Sequence, residues 1–408
     1  MKYLLIIGDG MADNPVAELG GMTPLEKAEK PFIDSLSERG ELGNVKTVPD
    51  GFEPGSDVAI MSIFGCAPEK YFAGRAPLEA AAQGVKLSDG DAAFRCNIIA
   101  LSEGDDFYSK TILSHSAGGI GGEEAKTLVV DLFNDPEFKA LADSAGVTVL
   151  PSLSYRHLVV QKSVDINGIS MSPPHDHLGE PVSGNLPKGC ESAKVLEQLL
   201  CKASEILDKH PINVKRRREG KLPGNSIWFW AQGTAANLPS FYGQYNKTGA
   251  VISAVALCHG IAKLAGLDVI LVDGATAELD TNYEGKVDAA LDALKSHDFA
   301  AVHIEAPDEC SHAKDVECKL EAIRRLDNLV VRPVIESLEK QGEDFRVLIL
   351  SDHKTLVESG FHDGEPVPFI IYDSRVGNGS GLVYTEANGE AGLSLNDGTL
   401  LMERLFSK

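Results

Sequence analysis

The stretch that decides the fold is Leu348-Ile349-Leu350-Ser351-Asp352-His353, where an apolar run ends in a carboxylate and an imidazole. The residues from Arg346 to Leu350 have the composition of a strand buried in a parallel sheet. Open α/β sheets place their chemistry beyond the carboxyl ends of their strands, which is where Asp352 and His353 stand. Taken alone, the pair fits a metal site and a polar surface turn equally well.

A second strand-like run, Phe299–Ile304, is followed by another carboxylate and imidazole. Asp308 and His312 have the Asp-x-x-x-His spacing, so both side chains share one face if a helical turn begins there. Pro307 is a favourable first residue for such a turn. This segment therefore also predicts two ligands at the end of a strand.

Two more potential ligands lie beside strand-like runs. Asp9 comes just after the apolar run that ends at Ile7, and His362 precedes the run Pro366-Val-Pro-Phe-Ile-Ile-Tyr372. The carboxyl ends of parallel strands meet at one edge of a sheet, so these side chains are expected to converge there. Oxygen and imidazole ligands of this kind suit divalent cations.

A serine that precedes an apolar helical pattern completes the set. Ser56 follows Gly55, and the pattern continues to Phe64. Free backbone N–H groups and the positive end of the helix dipole would meet here, which favours the binding of a phosphoryl group. The simpler interpretation is that Ser56 only caps the helix. With two cations nearby, a coordinated serine would instead act as the nucleophile of a phosphoryl transfer.

Composition limits the classes of partner. The chain has 408 residues, of which 43% are apolar and 24% charged, as in soluble globular proteins large enough for two domains. Its formal net charge of −22 argues against nucleic acid or an anionic membrane as a partner. An anionic substrate would have to be attracted by local positive charge, which bound metal ions can provide.

Cysteine usage and the amino terminus indicate a compartment. The seven cysteines, at positions 66, 96, 190, 201, 258, 310 and 318, are odd in number and form no C-x-x-C pair. A disulfide framework or zinc ribbon is therefore not expected, and a cytoplasmic location fits. The first apolar run is too short for a signal peptide, and no apolar run approaches the length of a membrane span.

The alternation of strands and helices is interrupted once. Residues 87–187 read as an α+β insert, while residues 1–86 and 188–408 read as one α/β domain. Near the end of the insert, Pro173-Pro-His175-Asp-His177 could be taken for a metal site. Its position in a Pro/Gly-rich turn favours a structural or interdomain contact.

Several motifs together are similar to those of one enzyme family. They are Ile7-Gly-Asp-Gly-Met11, Gly55-Ser-Asp-Val58, Gly74-Arg-Ala-Pro-Leu-Glu79, Phe94-Arg-Cys-Asn97, Gly249-Ala-Val-Ile-Ser-Ala-Val255, Asp280-Thr-Asn-Tyr-Glu-Gly285, Glu305-Ala-Pro-Asp308, Ser351-Asp-His353, and His362 before Pro-Val-Pro-Phe. The chain thereby resembles the archaeal-type 2,3-bisphosphoglycerate-independent phosphoglycerate mutases of the alkaline phosphatase superfamily. The resemblance implies an alkaline-phosphatase-like α/β fold, with a mostly parallel sheet flanked by helices and a smaller inserted α+β domain.

The resemblance also implies a mechanism. Ser56 would be the nucleophile that forms a phosphoserine intermediate between 3-phosphoglycerate and 2-phosphoglycerate. The reaction would need two divalent cations, Mn, Zn or Mg. It would need no organic cofactor. One cation would be held by Asp9, Ser56, Asp352 and His353, and the other by Asp308, His312 and His362.

The insert would close over the active site and supply contacts to the substrate. The candidates are Arg95, Asn97 and Arg156, with Arg75 and Lys354 adding positive charge from the larger domain. His115 is a further candidate, because Ser114-His115-Ser116 precedes Ala117-Gly-Gly-Ile120, where many archaeal members carry Ala-Gly-Arg-Ile.

The resemblance supports the chemistry more firmly than the substrate. One alternative is a phosphotransferase acting on another small alcohol, as proposed for a homoserine kinase-like bacterial branch, and another is a phosphomonoesterase. A non-catalytic metal-stabilised binding protein is a third. The sequence does not indicate an oligomeric state.

Overall fold

The structure is a computed structural model that describes residues 1–104, 106–376 and 379–407, in which two compact units are seen. The larger unit consists of Met1–Phe72 and Asn237–Lys408, and the smaller unit is Ala73–Ala236. Within the described residues, no helix is both long and apolar enough to span a membrane.

The strands, in chain order, are β1 (Lys2–Gly8), β2 (Glu41–Val45), β3 (Ala92–Leu101), β4 (Ile112–Ser114), β5 (Val147–Leu150), β6 (Arg156–Gln161), β7 (Ser226–Thr234), β8 (Gly249–Ile252), β9 (Asp268–Ile270), β10 (Phe299–Ile304), β11 (Phe345–Leu350), β12 (Lys354–Leu356), β13 (Phe361–Asp363), β14 (Val367–Asp373) and β15 (Leu393–Leu395).

The α-helices are α1 (Pro24–Lys27), α2 (Pro31–Arg39), α3 (Ser56–Ile63), α4 (Pro68–Tyr71), α5 (Arg75–Ala82), α6 (Gly122–Asn134), α7 (Pro136–Ser144), α8 (Glu191–Leu207), α9 (Pro211–Arg218), α10 (Phe241–Tyr245), α11 (Ala256–Leu264), α12 (Tyr283–Ser296), α13 (Ala306–His312), α14 (Val316–Arg325), α15 (Arg332–Gln341), α16 (Glu386–Glu390) and α17 (Leu400–Phe406). A π-helical segment, Leu326–Val331, joins α14 to α15, and 3₁₀ turns occupy Ala17–Leu19, Phe107–Ser109, Pro174–His177 and Val182–Gly184.

The larger unit is built on an eight-stranded sheet in the order β15-β2-β14-β11-β1-β10-β8-β9. Neighbouring strands are parallel except at the two edges of β14, which pairs antiparallel with β11 and with β2. The central strand β1 is fully buried from Leu4 to Ile7 because helices cover both faces of such a sheet. The prediction of a mostly parallel α/β sheet flanked by helices is confirmed.

The smaller unit has its own sheet and its own core. Its strands follow the order β4-β3-β6-β5, and β7 pairs with the free edge of β3. Buried side chains of α6, α7 and α8 pack on this sheet, around Trp228 and Phe229 of β7. The unit therefore has the α+β organisation predicted for the insert.

The smaller unit extends beyond both predicted ends of the insert. Residues 87–187 were expected to form it, yet α5 precedes that range, and α8, α9 and β7 follow it. The reason is a long-range pairing: β7 forms an antiparallel ladder with β3, which sequence pattern alone does not indicate. Arg75 consequently lies in the smaller unit and not in the larger domain to which it was assigned.

One local expectation also needs correction. Cys310 and Cys318 are joined by a disulfide with their Cα atoms 5.4 Å apart, although cysteine spacing gave no sign of a pair. The turn between α13 and α14 brings the two cysteines together. Cysteine spacing alone does not reveal that turn.

A buried ion pair ties the loop after β1 to helix α14. Lys319 is fully buried, and its Nζ lies 2.7 Å from Asp13 Oδ2 and 2.7 Å from the carbonyl oxygen of Thr355. Asp13 is itself nearly inaccessible and also accepts from the backbone N–H of Val357 at 3.0 Å. This network fixes the loop that follows Asp9 against strand β12.

Replacing Lys319 by methionine should destabilise the larger unit by about 3–5 kcal/mol, because Asp13 would keep a buried charge without its partner. Urea unfolding followed by circular dichroism measures the change. The matched control is Lys295→Met, at an ion-paired side chain that is 77% exposed, and it should cost less than about 1 kcal/mol. Equal unfolding free energies for the two variants would contradict this account of the network.

Candidate active site

Parallel strand register brings the predicted ligands to one edge of the large sheet. Ile7 of β1 lies opposite His303 of β10 on one side and Leu350 of β11 on the other. The residues that follow these strands, Asp9 and Asp352, are therefore neighbours. The backbone N–H of Gly10 confirms the proximity by donating to Asp352 Oδ1 at 3.1 Å.

Ser56 does not cap helix α3. The N-cap position is occupied by Gly55, and Ser56 is the first helical residue. Its Oγ lies 3.4 Å from Asp9 Oδ2 and 3.2 Å from His353 Nε2. The interpretation of Ser56 as a simple helix cap is therefore wrong, and its hydroxyl faces the predicted ligands.

Asp9, Asp352 and His353 form a fully buried group suited to a cation. Their ligating atoms all lie within 4.8 Å of one another. Among the described residues, Asp9 Oδ1 and Asp352 Oδ2 have no hydrogen-bond partner although both are buried. Buried carboxylate oxygens are seldom left without a partner. These two oxygens are therefore suited to be ligands of a divalent cation.

Asp308, His312 and His362 form the second group. His312 Nε2 lies 3.1 Å from Asp308 Oδ2, and His362 Nε2 lies 3.4 Å from Asp308 Oδ1. The two imidazole Nε2 atoms are themselves 3.0 Å apart. His312 Nδ1 contacts the carbonyl oxygen of Gly360 at 2.8 Å, and His362 Nδ1 that of Pro54 at 3.2 Å. A carbonyl only accepts, so each Nδ1 carries the hydrogen and each Nε2 can offer a lone pair to a metal.

The two groups are adjacent. His353 belongs to the first group and also forms a cluster of potential ligands with Asp308 and His362. The ring centroids of His353 and His362 are 4.1 Å apart. The structure thus brings together all seven predicted metal-site residues in the larger unit.

The raised pKa values of Asp9 and Glu305 reflect the burial and the negative charge around the first group. Burial raises the pKa of Asp9 well above its usual range, and the carboxylates of Asp352 and Glu305 raise it further. Burial likewise raises the pKa of Glu305 to about 7. Bound cations would compensate this charge and return both groups to the ionised form.

At the second group, the imidazoles of His312 and His362 compensate the negative charge of Asp308. Burial acts to raise the pKa of Asp308, but hydrogen bonds from His312 and His362 outweigh it and hold the pKa well below its usual range. The hydrogen bond to Asp308 raises the pKa of His312 to about 9. A metal ligand must be deprotonated, so a cation would have to displace protons here.

Sequence reasoning missed His303, Glu305 and Thr355. His303 Nε2 lies 2.9 Å from Asp9 Oδ2 and 3.5 Å from Glu305 Oε2. Thr355 Oγ1 lies 2.5 Å from Asp308 Oδ1, to which it donates. His303 did carry a signal, because it is a histidine inside an otherwise apolar strand. Thr355 carried no such signal in the sequence, because its contact with Asp308 depends on the tertiary position of strand β12.

Gly10 is required by this geometry. Its φ of +59° is a left-handed conformation, and a Cβ atom there would lie 2.4 Å from Thr355 Oγ1 and 2.7 Å from Asp308 Oδ1. The second glycine of the Gly8-Asp9-Gly10 motif therefore keeps the space between the two groups open.

Lys354 is placed in the larger unit, where it is 8% exposed. Its Nζ donates to Asn14 Oδ1 at 2.9 Å. The suggested role of Lys354 in binding substrate stays a prediction.

The remaining predicted substrate contacts lie in the smaller unit. Arg95 forms a two-pronged ion pair with Glu79 and stacks 4.7 Å above the Trp230 ring. Arg75 also pairs with Glu79, at 3.4 Å. Burial acts to raise the pKa of Glu79, but Arg95, Arg75 and then Arg156 lower it. Three guanidinium groups thus surround one carboxylate, which leaves net positive charge.

Asn97 and His115 border this cluster. Asn97 donates to the backbone carbonyl of His115 at 3.0 Å and accepts from the Trp230 indole N–H at 3.0 Å, so both ends of its amide are used. The His115 ring lies 5.9 Å from the ring of His175, which in turn lies 5.2 Å from Trp230. His175, which had been read as part of a structural turn, is thus a further member of this cluster.

Changing Gly10 to alanine should weaken divalent-cation binding at least about ten-fold, because the added methyl group displaces Thr355 and Asp308. Calorimetric titration of the metal-free protein with Mn²⁺ measures this. Gly20→Ala is the control, since Gly20 has a similar φ of +70° but nothing within 4 Å of the new Cβ. A similar loss of affinity in both variants would show that backbone strain alone is responsible.

Comparison with known proteins gives a consistent result. Residues 37–213 match the model of a family described as 2,3-bisphosphoglycerate-independent phosphoglycerate mutase. A protein of that name from Methanosarcina acetivorans is 45% identical over 397 residues, which cover 96% of this chain and 97% of the relative. A Geobacter sulfurreducens protein, named as a probable enzyme of this kind, is 42% identical over the full length of both chains.

Solved structures agree with the sequence relatives. A Pyrococcus horikoshii protein superposes with a TM-score of 0.82 at 31% identity, over 99% of this chain and 97% of the other. The cofactor-independent phosphoglycerate mutase of Thermoplasma acidophilum superposes with a TM-score of 0.64 at 25% identity, over 99% of this chain and 98% of the other. With relatives above 40% identity along almost its entire length, this chain belongs to the 2,3-bisphosphoglycerate-independent phosphoglycerate mutase family.

Proposed function

We propose that the chain interconverts 3-phosphoglycerate and 2-phosphoglycerate, with Ser56 carrying the phosphoryl group between the two positions. The observation that supports this most directly is the Ser56 hydroxyl. It is not used as a helix cap and faces Asp9 and His353 at hydrogen-bonding distance. A hydroxyl that faces a group of potential cation ligands lies where a bound cation would make it acidic, which is the arrangement that metal-assisted covalent phosphoryl transfer requires.

Two divalent cations, Mn, Zn or Mg, would be held by the groups described above. Asp9, Ser56, Asp352 and His353 would hold one, and Asp308, His312 and His362 the other. When bound, such cations neutralise the phosphoryl oxygens and make an alcohol more acidic. The partnerless oxygens of Asp9 and Asp352 support this assignment, as do the Nε2 atoms of His312 and His362, which converge on Asp308 and would become ligands on losing their protons.

The reaction then has two steps. Ser56 Oγ attacks phosphorus, the bond from phosphorus to the C3 oxygen breaks, and glycerate retains that oxygen with a proton. The C2 hydroxyl of glycerate next attacks the phosphoserine, and Ser56 recovers its hydroxyl. With His353 Nε2 assigned to a cation, Asp9 Oδ2, at 3.4 Å from Ser56 Oγ, is the carboxylate oxygen nearest to the proton that Ser56 gives up.

The smaller unit offers the positive charge that an anionic substrate needs. Arg75 and Arg95 pair with the Glu79 carboxylate, and the charge of Arg156 also acts on it. Arg156 is exposed, and its guanidinium donates to the Tyr155 hydroxyl at 3.1 Å. Guanidinium groups bind phosphate and carboxylate in a bidentate manner. We therefore assign substrate binding to Arg156 and His115 first, with Arg95 and Asn97 orienting them.

The alternatives are less favoured. The family relatives are named as phosphoglycerate mutases, and that is the ground for preferring this activity. A cytoplasmic location stays a prediction from sequence, as does the absence of an organic cofactor.

Ser56→Ala should lower mutase turnover at least about a thousand-fold, because the phosphoryl acceptor is lost. A coupled assay for 2-phosphoglycerate measures turnover with Mn²⁺, Zn²⁺ or Mg²⁺ added back to stripped protein. Mass spectrometry of acid-quenched wild-type protein should find the phosphoryl group on Ser56.

The matched control is Ser62→Ala on the same helix, whose hydroxyl donates to the carbonyl oxygen of Val58 at 3.2 Å. It should retain most of the activity. Wild-type protein that forms no 2-phosphoglycerate, yet transfers phosphate to homoserine or to water, would refute the mutase assignment.

Arg156→Ala should raise the KM for phosphoglycerate about ten-fold or more, because a charge-assisted contact is lost. Arg156→Lys should fall between this variant and wild type, since an ammonium keeps the charge but not the bidentate geometry. Arg218→Ala changes an exposed arginine at the end of α9 and should leave KM unchanged. An unaltered KM in Arg156→Ala would remove Arg156 from the substrate site.

A further inference from the structure

We infer that His303 is a positioning residue that holds Asp9 in its ligating orientation, and that Ser253 fixes the tautomer of His303. This inference rests on the proposed function, since it takes Asp9 to be a metal ligand. Neither His303 nor Ser253 was among the residues expected from the sequence.

Strand register places the three side chains in a row. Ile252, the last residue of β8, pairs with Val302 of β10, so Ser253 lies next to His303. On the other side of β10, the pairing of Ile7 with His303 brings Asp9 alongside. All three side chains are buried, with Asp9 fully inaccessible and His303 and Ser253 each 2% exposed.

The hydrogen bonds assign one tautomer. His303 Nε2 lies 2.9 Å from Asp9 Oδ2, and an ionised carboxylate only accepts, so Nε2 carries the hydrogen. His303 Nδ1 is then the acceptor, and Ser253 Oγ lies 3.1 Å from it. Ser253 Oγ accepts from the backbone N–H of Val255 at 3.0 Å, and its side chain also meets the Cys258 thiol. The hydroxyl hydrogen of Ser253 is the donor available to Nδ1, because that nitrogen carries none in this tautomer.

The consequence concerns the two oxygens of Asp9. Oδ2 is engaged by His303, whereas Oδ1 has no hydrogen-bond partner among the described residues. His303 therefore restrains the rotation of the carboxylate so that Oδ1 is presented to a cation. Outer hydrogen bonds of this type commonly contribute ten- to a hundred-fold to metal affinity.

The competing interpretation makes His303 a ligand. Asp9, His303 and Glu305 form a third cluster of potential ligand atoms within 4.8 Å. In the assigned tautomer, however, the lone pair of His303 points to Ser253 and its N–H to Asp9. Neither ring nitrogen is then available for coordination. The number of ions bound per chain separates the two interpretations.

The experiment compares the full-length protein with His303→Leu, His303→Gln and Ser253→Ala. Mn²⁺ affinity is measured by calorimetry on metal-free protein, bound Mn²⁺ per chain by elemental analysis, and folding by urea unfolding. His157→Gln is the control, because His157 is a fully buried histidine of the smaller unit.

We expect wild-type protein to bind two Mn²⁺ ions. His303→Leu should bind one of them about ten- to a hundred-fold more weakly. His303→Gln can still donate an N–H to Asp9 and should recover most of the loss, while Ser253→Ala should show a smaller loss and His157→Gln none. If His303→Leu does not fold, the loss of Mn²⁺ affinity in Ser253→Ala tests the inference instead.

Unchanged Mn²⁺ affinity in a folded His303→Leu or, failing that, in Ser253→Ala would overturn this inference alone. A third ion in wild-type protein that disappears in both His303 variants would also overturn it and would make His303 a ligand. Wild-type protein that binds no divalent cation would instead overturn the proposed function, and this inference with it.

Discussion

The structure depends on an electrostatic constraint at the carboxyl edge of the large sheet. Asp9 and Asp352 are fully buried, adjacent, and each has an oxygen without a hydrogen-bond partner among the described residues. Two such carboxylates are unfavourable in a protein interior unless a positive charge compensates them. The parallel strands bring the two carboxylates together, so this edge of the sheet has the negative charge and the open oxygens that suit a divalent cation.

Other parts of the larger unit follow from this constraint. Gly10 leaves room for Thr355 and Asp308 beside its backbone, and the buried pair of Lys319 with Asp13 holds the loop beyond Asp9. Helix α3 brings the Ser56 hydroxyl to the same point. The proposed phosphoryl acceptor and the proposed cation ligands thus lie together in the larger unit, as preorganised electrostatic catalysis requires. The smaller unit contributes a separate concentration of arginines.

Sequence pattern predicted the features that are local. Apolar runs that end in Asp9, Asp352 and His353 identified strand ends, and the Asp308-to-His312 spacing identified one helical face. What could not be predicted depends on pairing between distant segments. His303 and Ser253 become partners only through the register of β8, β10 and β1. The extent of the smaller unit depends on the ladder between β3 and β7, and the Cys310–Cys318 bond depends on the turn between two helices.

The central claim is that side chains following strands β1 and β11, one side chain of β13 and two of helix α13 converge on a pair of cations beside Ser56 of α3. The most direct measurement is an anomalous-difference map from crystals grown with Mn²⁺. The account predicts two peaks per chain, one in contact with Asp9, Asp352 and His353 and the other with Asp308, His312 and His362. A single peak, or peaks bound to other side chains, would contradict it.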